Sequence, residues 1–134
     1  MGILIWQDFM FACALYPADP SFLQNVQAEV ETQVKRLQAH PSIAIWAANN
    51  ENEAALGGNW FQTVGYYKKY KEDYVKLYVD TVKRTAETLD SSRTCLSSSP
   101  TNGIKSEQEG WISRNPYDAR YGDGIVVITI MIEN

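Results

Sequence analysis

The chain has 134 residues, 45% of them hydrophobic and 21% charged, with a net charge of -4 at pH 7. That length is enough for one small domain with a real core, and the composition argues against disorder. The acidic balance disfavours a nucleic-acid partner, because phosphate binding wants a basic face.

Ile3 to Phe9 is an apolar run of β-formers interrupted by Gln7-Asp8. It reads as a buried strand whose polar residues mark its end. Met1-Gly2-Ile3 starts mid-strand, without the basic flank and small-residue cleavage site of a secretory signal. After an apolar stretch to Tyr16, Pro17-Ala18-Asp19-Pro20 predicts a turn and a helix start, with Asp19 as N-cap and Pro20 in the first helical position. Phe22, Leu23, Val26, Val30, Val34 and Leu37 recur at spacings of three and four, which predicts a helix to about Gln38. His40-Pro41 stops it, with His40 as a capping charge at the helix end. Ile43 to Ala48 then predicts a buried strand with Trp46 in the core. Strand, helix, strand with short links is a βαβ unit and implies a parallel sheet.

The strand runs into Asn49-Asn50-Glu51-Asn52-Glu53, followed by a glycine-rich loop, Gly57-Gly58-Asn59-Trp60. Val75, Val79, Val82, Ala86 and Leu89 predict a second long helix from roughly Lys68 to Leu89. Lys68, Lys69 and Lys71 sit beside Glu72 and Asp73 and read as a solvated helix face. Thr94 to Ser98 predicts a third short strand, closed by the turn residues Ser99-Pro100-Thr101-Asn102-Gly103. Ile104 to Gly124 reads as loop, and Ile125 to Ile132 as a β-branched apolar run too short to span a membrane. Cys13 and Cys95 are in no metal-type spacing and are expected to be free and buried. Three strands alternating with two helices make either a small open sheet or a little under half of an eight-stranded barrel. The abrupt ends favour the second.

Parallel α/β folds place their chemistry at the carboxyl ends of the strands. Glu51 stands there, beside two asparagines. A carboxyl group at a dry strand end can serve as a general acid. Alternatively, Glu51 and Glu53 cap a helical turn, Asn52 to Leu56, since acidic residues are common at helix starts. A calcium site fits poorly, because the alternating Asp/Asn and the glycine of a calcium loop are missing. Asp8 ends the first strand as Glu51 follows the second. It either bonds a ligand hydroxyl or anchors a loop. Trp60 either stacks on a sugar face or anchors its own loop. No phosphate loop, nucleophile elbow or metal cluster is present in the sequence.

Gly2-Ile3-Leu4-Ile5-Trp6-Gln7-Asp8-Phe9, then His40-Pro41-Ser42-Ile43 leading into Trp46-Ala47-Ala48-Asn49-Asn50-Glu51-Asn52-Glu53, closely resemble the β-mannosidases of glycoside hydrolase family 2, animal lysosomal type. Phe9 to Pro17 and Ser98 to Gly103 belong to the same likeness. The resemblance implies a (β/α)8 TIM barrel as catalytic domain, of which residues 1–123 would supply roughly strands three to five with their helices. It implies Glu51 as the acid/base, Asn50 against the 2-hydroxyl of the cleaved sugar, and Asp8 and Trp60 in the mannose pocket. The family retains configuration, so its two carboxyl groups are expected about 5–5.5 Å apart. Its nucleophile is a Glu at the end of the seventh strand, which this chain does not include, so the isolated chain is expected to be inactive.

The likeness ends near Asp123, and residues 124–134 are expected to be an aberrant apolar tail, out of frame or read from an intron. The substrate implied is an oligosaccharide or glycoprotein glycan with terminal β-mannose. The setting implied is the lysosome, with no metal, cofactor or membrane partner. The alternatives are a related β-galactosidase or β-glucuronidase, or a non-catalytic truncated product.

Overall fold

The computed structural model describes residues 2–118 and Arg120. The apolar run Ile125 to Ile132 and the proposed tail lie outside the described residues. Three short strands form one parallel sheet in the order β1 (Ile5–Asp8), β2 (Ile43–Ala47), β3 (Cys95–Leu96). Trp6 faces Ile45, Gln7 faces Trp46 and Asp8 faces Ala47, with a bulge between Ile5 and Trp6. Consecutive parallel strands need crossover connections, and helices provide them.

The first crossover is α1 (Pro20–Leu37). The Asp19 carboxylate accepts from the backbone N–H groups of Ser21 and Phe22, both at 3.1 Å, and satisfies two donors that the helix leaves orphaned. Val26, Val30 and Val34 lie on one stripe and are at most 2% exposed. Burying a valine side chain contributes about 1.5–3 kcal/mol, so the stripe holds this helix more firmly than its propensity does. The helix end departs from expectation, because His40 does not supply the capping charge. The Arg93 guanidinium does, donating to the carbonyls of Gln38 (3.1 Å), His40 (3.2 Å) and Ile43 (2.6 Å). Carbonyls at and just beyond a helix C-terminus favour a cation, and the donor comes from 53 residues away from His40.

The second crossover begins with α2 (Asn52–Gly57) and a 3-10 turn (Val64–Tyr66). A continuous helical rod follows: α3 (Tyr67–Tyr74), a π-helical stretch (Val75–Lys83) and α4 (Arg84–Leu89). The widened turns agree with the Thr81 hydroxyl donating back five residues, to the Lys76 carbonyl, at 2.8 Å. Leu77, Val82 and Ala86 pack with the α1 valines, Trp46 and Cys95 in one core. Trp46 is fully buried, stacks on Phe9 at 5.6 Å between centroids, and donates its indole N–H to Asp90 at 3.0 Å. Residues 104–108, read from sequence as loop, instead form α5 (Ile104–Gln108). Only Ser106 in that turn is buried, so no apolar stripe announced it.

Candidate active site

Beyond the named strands the sheet narrows to single bridges. Asn50 pairs in parallel with Ala12 on one side and Ser99 on the other. Asn50 N–H donates to Phe11 O (2.9 Å), Cys13 N–H to Asn50 O (3.0 Å), and Glu51 N–H to Ser99 O (2.7 Å). Three chain segments therefore converge at the carboxyl edge of the sheet, and Glu51 stands on the middle one.

The floor under Glu51 is a buried, hydrogen-bonded polar layer. Asn49 is completely buried; its amide donates to Ser97 O at 2.7 Å, and its oxygen accepts from the Ser98 hydroxyl at 2.7 Å and from Asn52 N–H at 3.0 Å. Asn52 donates to the Tyr78 hydroxyl at 2.7 Å and accepts from Ala14 N–H at 2.9 Å. Tyr74 donates to Ser97 O at 3.3 Å. Burial holds the Tyr74 and Tyr78 phenols well above their ordinary range, so both stay protonated at neutral pH.

This layer decides the capping question. The first free N–H groups of α2 are taken by Asn49 Oδ1 and Ser98 Oγ. Glu51 occupies the N-cap position, yet its side chain makes no cap hydrogen bond. Glu53 does not cap either. It is 0% exposed, and its Oε1 accepts from the Ser106 hydroxyl (2.5 Å) and from Ser113 N–H (2.9 Å), so it braces α5 and the segment behind it.

Glu51 is half-buried, with left-handed backbone at φ 63°. Its Oε2 accepts from the Cys13 thiol at 3.0 Å, and the Asn50 amide lies 3.7 Å from that sulfur. Cys13 itself is exposed and also left-handed, at φ 44°. The hydrogen bond to Glu51, then desolvation and the Glu51 charge, push the Cys13 thiol above its usual range. Tyr117 stands close enough that, after burial, the same Glu51 and Cys13 raise its phenol. Sequence reasoning missed Cys13 and Tyr117 as neighbours of Glu51. The expectation that both cysteines are buried holds only for Cys95, whose thiol burial pushes up to about 12.

Asn50, Glu51 and Cys13 are thus brought together, whereas no described contact joins Asp8 or Trp60 to them. Asp8 Oδ1 accepts from the Trp6 indole at 3.1 Å. Desolvation of its carboxyl end raises its pKa above the usual value, and the Trp6 bond opposes this. It lines a cleft of ≈ 250 Å³ with Phe9, Val30, Gln33, Arg36 and Trp46. Trp60 is 45% exposed and folds over Gly58, where a Cβ would meet its Nε1 at 2.8 Å. Among the described residues, no group of three or more His, Cys, Asp or Glu is placed to hold a metal ion, and no helix is long and apolar enough to cross a membrane.

Comparison with known proteins agrees with this architecture. Residues 2–110 match the TIM barrel domain of glycosyl hydrolases family 2. A β-mannosidase of Bos taurus is 55% identical over 124 residues, which is 92% of this chain and 14% of that protein. A probable β-mannosidase of Caenorhabditis elegans is 46% identical over 123 residues, 91% of this chain and again 14% of the relative. A crystal structure of the β-D-mannosidase of Dictyoglomus thermophilum superposes with a TM-score of 0.63 at 38% identity, over 72% of this chain and 11% of that one. The chain therefore spans about a seventh of the length of its curated relatives. On the matched domain, the parallel sheet and its helical crossovers, the chain belongs to family 2 of the glycosyl hydrolases and carries part of their TIM barrel.

Proposed function

We propose that this chain is the acid/base segment of a retaining exo-β-mannosidase acting on terminal β-mannose in oligosaccharides and glycoprotein glycans. One observation carries the reading: the Glu51 carboxyl stands at the carboxyl edge of the sheet and is excused from capping α2, because Asn49 and Ser98 do that work. A glutamate kept in left-handed backbone with no cap to make is a feature that function explains better than stability.

In the proposed reaction a second carboxylate attacks the anomeric carbon while Glu51 gives its proton to the departing glycosidic oxygen. A glycosyl ester forms and the aglycone leaves as an alcohol. Glu51, now a carboxylate, then takes a proton from water as that water displaces the ester, which restores both groups. The family resemblance puts the second carboxylate at the end of the seventh strand, outside the three strands here. Asn50 would hold the sugar's 2-hydroxyl, and Asp8 and Trp60 would line the mannose pocket once neighbouring barrel strands are in place. The mannosyl specificity rests on the likeness to the mammalian β-mannosidases, and a lysosomal setting is only what the sequence resemblance implies.

The test grafts residues 2–118 in place of the matched segment of the bovine β-mannosidase. The chimaera is expected to hydrolyse an aryl β-mannoside, and Glu51→Gln to reduce kcat/KM by about 10²–10⁴-fold, the usual range for a lost general acid. A greater rate on the aryl β-galactoside or β-glucuronide would overturn the mannosyl assignment. Full activity in the Glu51→Gln chimaera would overturn the acid/base role.

A further inference from the structure

We propose that Cys13 is a positioning residue for Glu51: its thiol donates to Oε2 and holds the carboxyl at the strand edge with Oε1 turned to the substrate side. The inference rests on the acid/base reading of Glu51 given above. Its own basis is geometric. The sulfur stands 3.0 Å from Oε2, within hydrogen-bonding range for a thiol donor. Among the described residues, that thiol is the donor engaging the Glu51 side chain, and Oε1 has no hydrogen-bond partner.

The thiol is held in turn from three directions. Cys13 N–H donates to Asn50 O at 3.0 Å, the next N–H along, Ala14, donates to the buried Asn52 at 2.9 Å, and the Asn50 amide faces the sulfur at 3.7 Å. Both partners of the contact sit in left-handed backbone, at φ 44° and φ 63°. Neither is a glycine, so each resists that conformation. Two strained residues that meet through their side chains point to a contact that the surrounding structure enforces. A weak donor suits a group that must both give and regain a proton. A guanidinium or ammonium there would hold the carboxylate charged and hinder its use as an acid. The titratable groups facing the sulfur are Glu51 and Tyr117.

Thiol reactivity on the full 134-residue chain reads the contact directly. Only the thiolate reacts with iodoacetamide, and the Glu51 hydrogen bond, desolvation and the Glu51 charge shift the Cys13 thiol upward and so lower its thiolate fraction. Glu51→Gln is expected to speed Cys13 alkylation severalfold at pH 8, while buried Cys95 stays silent in both proteins. Equal Cys13 rates in the two proteins would overturn the proposal, as would Cys95 reacting as fast as Cys13, which would show that no fixed contact forms. The chimaera reads the consequence. Cys13→Ala should lower kcat about tenfold with KM nearly unchanged, as expected for lost alignment, and Cys13→Ser should restore most of it. A Cys13→Ala chimaera with wild-type kcat would also overturn the proposal. If the unmutated chimaera does not cleave β-mannosides, the functional reading fails, and the alkylation rates alone decide the contact.

Discussion

Glu51 and Glu53 are two residues apart, identical in chemistry and opposite in use. Glu53 is 0% exposed, and its carboxyl accepts from a serine hydroxyl and a backbone N–H drawn from 53 and 60 residues downstream. Glu51 is half-buried, sits in left-handed backbone, and its side chain takes one hydrogen bond from a thiol. A carboxyl group surrounded by strong, distant donors is fastened into the fold. One that meets only a soft donor at a sheet edge is, under the proposed function, the group left to transfer a proton. The same five-residue cluster supplies both, because two residues are just over half a helical turn: with Glu51 at the N-cap and Glu53 inside α2, the second side chain is swung inward while the first remains at the rim.

The largest expected effect tests the structural half of that contrast. Glu53→Ala leaves the Ser113 N–H and the Ser106 hydroxyl without their acceptor in a dry layer. Each unsatisfied buried group costs about 1–3 kcal/mol, so urea unfolding of the chain should show a loss of about 3 kcal/mol or no folded state at all. A loss below about 1 kcal/mol would mean that Glu53 is no brace, and the contrast would collapse.

Asp90 sharpens the contrast with a second fastened carboxyl. Burial pushes its pKa up, but donors from Ser92, Arg93 and Trp46 outweigh burial and leave it below the usual carboxylate value. A carboxyl whose folded pKa is depressed lends stability that is complete above the unfolded value of about 3.9 and is lost as pH falls through the folded one. The wild-type chain should therefore lose stability on acidification, and Asp90→Asn should show a flatter acid limb with a loss of about 1–2 kcal/mol at pH 7. The Trp46 indole donates to Asp90 at 3.0 Å inside the core, so this bond ties the sheet to the end of α4. An acid limb of unchanged slope in the variant would remove Asp90 from the set of fastened carboxyls.

Much of the fold was legible because its signals are local. The valine stripe of α1, its Asp19 cap and Pro20 start, and the β-branched run of β2 each announce themselves within a few residues. What escaped depends on partners far apart in sequence. Arg93 caps a helix whose C-cap, Gln38, lies 55 residues earlier, and no pattern near His40 marks the exchange. The short α5 is held by one buried serine rather than an apolar face. At the site, the Asn-Asn-Glu cluster was visible, but the division of labour within it was not. Asn49 rather than Glu51 serves α2, since Ser97 and Ser98 arrive from β3 to orient its amide. Cys13 lies 38 residues from Glu51 and meets it only because β1 and β2 are parallel neighbours whose extensions bridge at Ala12 and Asn50.

The smallest expected effect on stability is the most telling for function. Glu51→Gln keeps the shape of the side chain and an acceptor oxygen for the Cys13 thiol, removes no cap, and loses only a charge at a half-buried rim, so urea unfolding should move by no more than about 0.5 kcal/mol. Glu51→Gly goes further. Glycine enters φ 63° without the steric penalty that any other side chain bears there, so this variant should match or exceed the wild-type stability by up to about 1 kcal/mol, despite glycine's greater entropy loss on folding. In the bovine chimaera both variants should lose most activity. A residue that weakens the fold slightly by being present, and whose replacement removes catalysis, is placed for chemistry rather than for structure. If Glu51→Gln instead destabilised the chain as much as Glu53→Ala, the two glutamates would be equivalent braces, and the proton-transfer role would lose its physical support.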